Sequence, residues 1–408
     1  MKRAAVFGLV LLSALPFIGC RSRQPVETDY EAALPPGQLA LRKITDPAQI
    51  PDFTQACRFN SGLKESAQNS LNYLSKPSSK KYFPYGTITH DQAVASLNAF
   101  VALLNDGKSP AEMNWAIREK FDVYISVGCD NKGTVLFTGY YTPIFDASEQ
   151  ETAKFKCPLY KKPADLVKLP DGNPSTPMPD RRTIETSEMY KGNELVWMAD
   201  PFQAYVAHIQ GSARLRMPDG REMTVGYAAN NGHEYKSIRA ELVRDGKIVK
   251  RAGLPDMLDY FRRYPGQVKQ YTWRNPRYVF FDIISDGRPR GCLNEPVTTM
   301  RSIATDKKIF PPASLTFIST TLPQRVGGKV METPYVGFAL DQDAGGAIRA
   351  AGRCDVYMGI GAEAGQLAGR AQNEGKLYYL FLKPSSVAVS APAAKGGTAE
   401  PAAGMEPK

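Results

Sequence analysis

Hydrophobic positions along the chain predict a short set of helices followed by a long series of strands. The clearest helix spans residues 91–105, where apolar side chains recur every three or four positions and Gly107 follows as an end signal. A shorter helix is predicted from Ser66 to Ser75. Another begins at Ser109-Pro110, a preferred N-cap followed by a first-turn proline. We expect these N-terminal helices to be structural.

Beyond residue 120 the pattern changes to short runs rich in β-branched and aromatic residues, which favour strands. One more helix is predicted from Asp256 to Arg263. Many short strands joined by long connections are typical of a closed β-barrel accompanied by a second β-rich domain. The predicted strands are Phe121 to Val127, Thr134 to Tyr141, Phe202 to Ile209, Arg221 to Tyr227, Tyr278 to Ile284, Leu315 to Ser319 and Leu377 to Leu382.

The composition is that of a globular protein with a polar linker near one end and a low-complexity tail at the other. The 408 residues, 43% of them apolar, are enough for two or three domains with a sizeable core. Residues 21–50 are polar and contain several prolines, which predicts a linker. Residues 385–408 are dominated by Ala, Pro, Gly and Ser, and we expect them to be disordered.

Residues 1–20 have the features of an export signal. Two basic residues are followed by an apolar run that is too short to span a bilayer, and Gly19-Cys20 closes the segment. The small residue before cysteine resembles the processing site of bacterial lipoproteins, which implies that Cys20 is acylated and anchors the protein. Arg21 after the cysteine favours the periplasmic face of the outer membrane. Ordinary signal cleavage, with no role for Cys20, is the alternative.

The cysteines predict neither a metal site nor a definite disulfide pattern. Five follow Cys20, and an odd number leaves at least one of them unpaired. None belongs to a CxxC pair, so a zinc cluster is not expected, and no sequence feature calls for a cofactor. Which of the five pair with one another stays open; they are Cys57, Cys129, Cys157, Cys292 and Cys354.

The net charge of +10 suits an anionic partner. Nucleic acid is not expected, because the basic residues are scattered, no recognition motif is present and the chain has an export signal. An acidic polymer outside the cytoplasm, such as peptide-bearing cell-wall glycan, fits the charge and the export signal better.

The candidate chemistry lies between residues 341 and 359. Asp343 and Asp355 bracket a run that contains Gly345-Gly346, and paired glycines let a backbone turn tightly or approach a ligand closely. On a strand, Asp355 would be surrounded by apolar residues, which raise the pKa of a carboxyl group, as a general acid requires. A structural carboxylate that caps a turn is the alternative.

Several short motifs in this region and before it occur together in one known family. The chain resembles the lytic murein transglycosylase A family, whose C-terminal 3D domain is named after three aspartates. Asp306, Asp343 and Asp355 occupy these positions, while Thr142, Ala313 and Ala350 depart from the family pattern. The further matching motifs are Thr138-Gly139-Tyr140-Tyr141, Gln210-Gly211-Ser212, Gly226-Tyr227-Ala228, Asn231-Gly232-His233, Tyr235-Lys236-Ser237-Ile238, Asn275-Pro276, Tyr278-Val279-Phe280-Phe281 and Gly361-Ala362-Glu363-Ala364-Gly365.

The resemblance implies a mainly β fold: a double-psi β-barrel domain with a second, β-rich insert domain and N-terminal helices. We expect residues 51–145 to contain the helices and the first part of the barrel. Residues 146–270 would form the insert and residues 271–384 the rest of the barrel, the 3D domain. Strand richness alone would allow other β folds.

The resemblance also implies an activity: cleavage of the β-1,4 bond between N-acetylmuramic acid and N-acetylglucosamine in peptidoglycan, with formation of a 1,6-anhydro product. We expect Asp355 to act as general acid and then as general base. Asp343 would support it or tie down the glycine turn, and Asp306 would organise a loop. The expected substrate-binding residues are Tyr140, Tyr141, Gln210, Ser212, Asn231, Gly345 and Gly346; the alternatives are core packing for the tyrosines and a turn for Asn231-Gly232.

The expected partners are peptidoglycan glycan strands and, through Cys20, the membrane; cell-wall enzyme complexes are a further expectation. Two other functions stay open. The protein could be a lipoprotein that binds peptidoglycan without cutting it, or a glycoside hydrolase that uses Asp343 and Asp355 as a pair. The sequence does not distinguish endo- from exo-action, give a peptide or strand-length preference, define a role for the N-terminal helices, or fix the oligomeric state.

Overall fold

The computed structural model describes residues 28–167, 169, 174–176, 178–250 and 252–385. The predicted export signal with Cys20, the start of the predicted linker and nearly all of the predicted disordered tail lie outside these residues. Within the described ranges, no helix is both long enough and apolar enough to cross a bilayer.

The strands of the described residues, numbered in chain order, fall into two sheets. They are β1 (Leu41–Lys43), β2 (Phe121–Ser126), β3 (Val135–Thr142), β4 (Ile144–Ser148), β5 (Cys157–Tyr160), β6 (Glu194–Met198), β7 (Ser212–Arg216), β8 (Glu222–Asn230), β9 (Val279–Ile283), β10 (Ser302–Ala304), β11 (Leu315–Val326), β12 (Lys329–Asp343), β13 (Arg353–Ile360) and β14 (Gln372–Leu382).

In chain order, the α-helices of the described residues lie between these strands. They are α1 (Leu63–Leu74), α2 (His90–Asn105), α3 (Pro110–Lys120), α4 (Arg181–Thr186), α5 (Pro201–Gln210), α6 (Ile238–Arg244), α7 (Leu254–Arg263), α8 (Val268–Thr272) and α9 (Gly361–Ala368). The four helices predicted from periodicity are confirmed as α1, α2, α3 and α7. At α3 the predicted N-cap is present, since Ser109 and Glu112 form a capping box.

Six strands close into a barrel. Their order is β14-β11-β12-β10-β13-β3, and β3 pairs again with β14 to complete the circle. Two neighbouring pairs, β10 with β12 and β13 with β3, are parallel, and the other pairs in the circle are antiparallel. Strands β2 and β1 extend the sheet from β14. Because closure brings β3 beside β13, residues from the first and last parts of the chain meet in one sheet.

The segment between β3 and β10 forms a second sheet with the order β5-β6-β4-β7-β8-β9. This sheet has its own hydrophobic core, which helices α5, α7 and α8 help to form. The N-terminal helices share the core of the barrel instead; for example, Phe100 of α2 packs against Phe338 of β12, with 5.1 Å between ring centroids. The chain therefore builds two cores, with the insert between the two halves of the barrel.

One predicted strand is wrong: residues 202–209 form helix α5. Asp200 caps this helix by accepting hydrogen bonds from the amides of Phe202 and Gln203, Pro201 occupies the first turn, and Gly211 ends it in the left-handed conformation. Nearly all of its apolar side chains are buried. A helix that is buried on most sides loses its polar face, so its apolar run cannot be distinguished from a strand by periodicity alone.

The predicted fold class is confirmed: mainly β, with a barrel domain, a second β-rich domain and N-terminal helices. The predicted domain boundaries stay predictions. Strand pairing places β9, which ends at Ile283, in the insert sheet rather than in the barrel. The pairing therefore favours a second boundary after Ile283 instead of after residue 270.

Candidate active site

Asp343 and Asp355 lie in one row across the barrel wall. Ala304 of β10 pairs with Asp343 of β12 on one side and with Asp355 of β13 on the other. Asp355 pairs in turn with Thr138 of β3. Residues that are directly paired across a sheet point to the same face, so the four side chains share the outer face of the barrel. With one strand between them, the two aspartates have Cα atoms roughly 10 Å apart.

A β-bulge at Gln342 brings Asp343 into this row. Asp341 pairs with Ile303, but the next residue of β10, Ala304, pairs with Asp343, so Gln342 is an extra residue. Side chains alternate between the two faces of a strand, and without the bulge Asp343 would point away from Asp355.

The Gln342 side chain holds the bulge against helix α1. Its amide nitrogen donates to the Ser66 carbonyl at 2.7 Å and to the Ser70 hydroxyl at 3.1 Å. Its amide oxygen accepts from the hydroxyls of Ser66 at 2.9 Å and Ser302 at 2.6 Å. All of these groups are buried, so this network fixes the strand immediately before Asp343.

Replacing Gln342 with methionine is therefore expected to lower the free energy of unfolding by about 1–3 kcal/mol, because buried polar groups lose their partners. Urea denaturation measures this change. The control is Gln68→Met on the exposed side of α1, where Gln68 bonds Asn72, and we expect a change within about 0.5 kcal/mol. Equal effects of the two substitutions would contradict the structural role of the network.

Asp355 is a half-buried carboxylate with one side-chain partner. The Thr138 hydroxyl donates a short hydrogen bond to its Oδ1. Arg353, two residues earlier on β13, donates from Nη2 to the Thr138 oxygen at 3.5 Å, which orients that hydroxyl toward Asp355. Burial raises the pKa of Asp355, and the Thr138 hydrogen bond and the charge of Arg353 oppose this rise. The site can therefore hold a proton on Asp355 at a pH where an ordinary aspartate has lost it.

Asp343 is held more firmly than Asp355. Its Oδ1 accepts hydrogen bonds from the backbone amides of Cys292 at 2.9 Å and Ala344 at 2.8 Å. Burial raises its pKa, and the bond from Ala344 opposes the rise. The two amides fix its orientation, so Asp343 is suited to positioning.

Tyr140 lies near both aspartates. It shares a face of β3 with Thr138, and its ring lies 5.2 Å from that of Tyr357. Its hydroxyl is buried and makes no hydrogen bond of ordinary geometry to any described residue. Burial, and then the charge of Asp343, raise the pKa of Tyr140 well above its usual value. The hydroxyl therefore stays protonated and is close enough to Asp343 for a small rotation to join them.

The glycine pair lies where the barrel meets the insert domain. A Cβ on Gly346 would lie 3.4 Å from Tyr235 and from the Arg277 guanidinium, both of which belong to the insert. The pair follows Asp343 after Ala344, so this close approach brings the insert domain next to the barrel near Asp343. The groove-lining role of the two glycines stays a prediction.

The other predicted substrate-binding residues are buried or bonded away from the row of aspartates. Tyr141 is buried, and its amide donates to the Gln210 side chain at 3.0 Å. The buried Ser212 hydroxyl bonds that of Thr142 at 3.1 Å. Asn231 is also buried; its amide group donates to two backbone carbonyls, and its oxygen accepts from the Tyr278 amide. In this conformation, Tyr141 and Ser212 join β3 of the barrel to the insert, whereas Asn231 holds segments of the insert together.

Asp306 lies away from the row and binds backbone. Its carboxylate accepts from the amides of Lys308 at 3.0 Å and Ala350 at 3.1 Å. It therefore ties the loop after β10 to the loop before β13.

Sequence reasoning missed two residues of the site and a buried charge pair behind it. The sequence carries only a weak signal for Thr138 and Arg353. Thr138 lies two positions before Tyr140 on β3, and Arg353 lies two positions before Asp355 on β13. The charge pair is Asp341 and Lys307 in the barrel interior, where Thr305 and Tyr379 also bond Asp341. No local pattern marks it, because the pair and the residues that bond it come from the loop after β10, from β12 and from β14.

Neither a metal cluster nor a disulfide is found in the described part of the chain. No group of three or more His, Cys, Asp or Glu side chains there could hold a metal ion. The five cysteines after residue 20 are free thiols, and Cys292 is exposed next to Asp343.

Two family matches cover more than half of the chain. Residues 136–282 match the MltA specific insert domain, and residues 301–381 match the 3D domain. The first match spans the insert sheet together with β3, and the second spans β11 to β13 and most of β14, including both aspartates of the row.

Relatives with known names match over a similar extent. The membrane-bound lytic murein transglycosylase A of Escherichia coli strain K12 is 29% identical over 272 residues, which cover 65% of this chain and 70% of the relative. A homolog of this enzyme from Buchnera aphidicola is 26% identical over 321 residues, covering 78% of this chain and 84% of the relative.

Solved structures share the fold. A membrane-bound lytic murein transglycosylase from Agrobacterium tumefaciens superimposes with a TM-score of 0.69 at 24% identity, covering 85% of this chain and 99% of that one. Escherichia coli MltA with bound chitohexaose gives 0.65 at 24% identity, covering 89% and 98%. Sequence and fold agree, and the chain belongs to the membrane-bound lytic murein transglycosylase A family.

Proposed function

We propose that this protein is a peptidoglycan lytic transglycosylase. It cleaves the β-1,4 bond between N-acetylmuramic acid and N-acetylglucosamine and forms 1,6-anhydro-N-acetylmuramic acid. The observation that carries the proposal is Asp355, a half-buried carboxylate with a raised pKa in one row with Asp343. Its family supports the reaction type, since relatives carry the name lytic murein transglycosylase A.

In the first step, protonated Asp355 acts as the general acid. The Thr138 hydroxyl occupies its Oδ1, so the transferable proton sits on Oδ2. Asp355 gives this proton to the glycosidic oxygen while the bond from that oxygen to C1 of the muramic acid breaks.

In the second step, Asp355 acts as the base. The C6 hydroxyl of the same sugar attacks C1, and the Asp355 carboxylate takes the hydroxyl proton, which restores the acid. Because the nucleophile belongs to the substrate, no water has to be activated. Well-oriented intramolecular attack can lower a barrier by about 7–11 kcal/mol. Asp343, fixed by two amides, would position the sugar next to Asp355.

The proposal is tested by incubating the full-length protein with purified peptidoglycan and analysing the soluble products by mass spectrometry. We expect muropeptides that end in the anhydro sugar, which are lighter by one water than hydrolysis products. A protein that only sediments with peptidoglycan and releases nothing would be a binding lipoprotein.

A second candidate function is a two-carboxylate glycoside hydrolase, favoured by the row that contains both aspartates. Inverting hydrolases keep their two carboxyl groups about 6.5–9.5 Å apart to leave room for a water molecule. A separation of one strand between Asp343 and Asp355 is compatible with that spacing. The same product analysis decides, because a hydrolase releases reducing-end sugars and no anhydro product.

Thr138→Val is expected to shift the alkaline limb of the pH–rate profile to higher pH. Asp355 must be protonated to act, so activity falls as the pH rises through its pKa. The Thr138 hydrogen bond favours the charged form, and its loss raises that pKa further. The substitution leaves Arg353, which is on the same strand as Asp355, in place. Ala304, the neighbour of Asp355 on β10, has no titratable group.

The measurement is the initial rate of anhydro-product release as a function of pH. Thr316→Val is the matched control: Thr316 is a buried threonine of β11 that bonds the Ala339 carbonyl outside the row. A shift to lower pH, or an equal shift in the control, would contradict the contact with Asp355.

We also propose that the protein acts at a membrane through an anchor at Cys20 on the periplasmic face of the outer membrane. The names of the relatives support membrane association. Labelling cells with a radioactive fatty acid tests the anchor: wild-type protein should incorporate label and Cys20→Ser should not. Interaction with other cell-wall enzymes is a further proposal, which cross-linking in cells would test.

A further inference from the structure

Arg353 lies two residues before Asp355 on β13. Their side chains therefore point to one face, and both contact the Thr138 hydroxyl. Arg353 also lies close enough to Tyr235 of the insert for its charge to act on that phenol, whose pKa burial raises. The guanidinium is therefore a positive charge at the junction of the barrel and the insert.

The hydrogen bonds of Arg353 leave donor capacity unused. Its Nη1 pairs with Glu31 at 3.0 Å and its Nη2 makes the long contact with Thr138, but its buried Nε has no partner among the described residues. Arg301 provides the contrast: its Nε, Nη1 and Nη2 each bind a backbone carbonyl. Arg301 is thus fully used by the fold, whereas Arg353 is not.

Glu31 is brought to Arg353 by a docked turn. The Tyr30 carbonyl lies against Gly352, where an added Cβ would come within 2.5 Å of the carbonyl oxygen. The Tyr30 hydroxyl donates to Glu374 at 2.6 Å. These contacts hold the turn, while the Glu31 side chain itself stays 55% exposed and pairs with Arg353, which is 16% exposed. Ion pairs with one such exposed partner are weak, so Glu31 can be displaced without disturbing the turn.

We propose that Arg353 is a binding site for a carboxylate of the glycan substrate and that Glu31 occupies this site in the free protein. The proposal rests on the proposed function, because it assumes that peptidoglycan binds beside Asp355. An arginine guanidinium suits a carboxylate, because its planar donors can bind both oxygens at once. Peptidoglycan carries carboxylates on its stem peptides and, where the peptide has been removed, on the lactyl group of muramic acid.

Binding assays separate this subsite from catalysis. Full-length protein in detergent, carrying Asp355→Asn, is titrated with three ligands: a peptide-bearing glycan fragment, the same glycan after amidase treatment, and a neutral chitin oligosaccharide. Arg353→Gln should weaken binding of a carboxylate ligand about tenfold or more, the usual effect of losing a hydrogen bond between charged groups. It should leave the chitin oligosaccharide unchanged.

Glu31→Gln should have the opposite effect. Binding of the carboxylate ligand should tighten severalfold, because the competing carboxylate is gone, and the effect should vanish when Arg353 is also replaced. The charge-matched control is Lys43→Gln on β1, where Lys43 pairs with Asp122. This variant should not change the affinity for either carboxylate ligand relative to the affinity for the chitin oligosaccharide.

Each outcome decides the proposal. A loss confined to the peptide-bearing ligand identifies the stem carboxylate, and a loss confined to the amidase-treated ligand identifies the lactyl carboxylate. Equal weakening of all three ligands by Arg353→Gln, or no weakening, overturns the proposal. If Arg353→Gln fails to fold, the Glu31→Gln variant decides alone. In that case, the absence of selectively tighter binding of the carboxylate ligand refutes the proposal. Failure of the proposed function is recognised separately, as absence of anhydro products from the wild-type protein.

Discussion

Replacing Asp355 with asparagine is expected to lower the rate of anhydro-muropeptide release by about 10²–10⁴-fold, the usual contribution of a positioned general acid or base. Asparagine keeps the shape of the side chain and can still accept a hydrogen bond from Thr138, but it cannot donate a proton and take one back. Binding of peptidoglycan should persist. Mass spectrometry of the soluble products measures the rate, and sedimentation with peptidoglycan measures the binding.

Asp91→Asn is the control for this experiment. Asp91 lies in the first turn of α2 with its side chain 97% exposed, so its replacement changes an aspartate in the same way without touching the row that contains Asp355. We expect its product release to equal that of the wild-type protein. Unchanged release from Asp355→Asn, with both variants folded by thermal melting, would rule out Asp355 as the acid and base.

The largest effect on stability is expected from Asp341→Ala in the barrel interior. The Asp341 side chain is fully buried, and that of Lys307, which pairs with it, is 12% exposed. Burial raises the pKa of Asp341, while Lys307 opposes the rise. Removing the carboxylate leaves a buried ammonium group without its counterion, and breaking such a pair costs about 3–5 kcal/mol. Urea denaturation at neutral pH measures this loss.

The double variant Asp341→Leu with Lys307→Met separates the cost of an unpaired charge from the value of the pair. Apolar residues of similar volume often replace a buried ion pair without loss. We therefore expect the double variant to be more stable than Asp341→Ala. If Asp341→Ala loses less than about 1 kcal/mol, or the double variant is the less stable of the two, the unpaired charge is not what destabilises the single variant.

Much of the secondary structure was predictable because its signals are local. Helix α2 follows from its apolar spacing and α3 from the capping box at Ser109, since both patterns lie within a few turns of chain. Helix α5 was mistaken for a strand because it is buried on most sides. Its signals were nevertheless present in Asp200, Pro201 and Gly211, and were outweighed by the apolar run between them.

The candidate site was only partly predictable. Asp343, Asp355 and the glycine pair were identified from their surroundings and from the family motifs, and the structure brings the two aspartates into one row. Asn231 looked available to a substrate, yet its side chain is used by three backbone groups. Whether a polar side chain is free depends on the segments that pack around it, and no local pattern reports them.

The sequence by itself determined the order of most helices and strands, the family and the identity of the carboxylates, because these depend on residue type and on spacing within short segments. The tertiary structure decided which carboxylates share a face and what surrounds them. The bulge at Gln342 turns Asp343 toward Asp355, and barrel closure brings Thr138 to Asp355 across 217 residues of chain. Glu31 reaches Arg353 across 322 residues. Such contacts depend on the register between distant strands, which is set by the packing of the whole barrel and not by the local sequence.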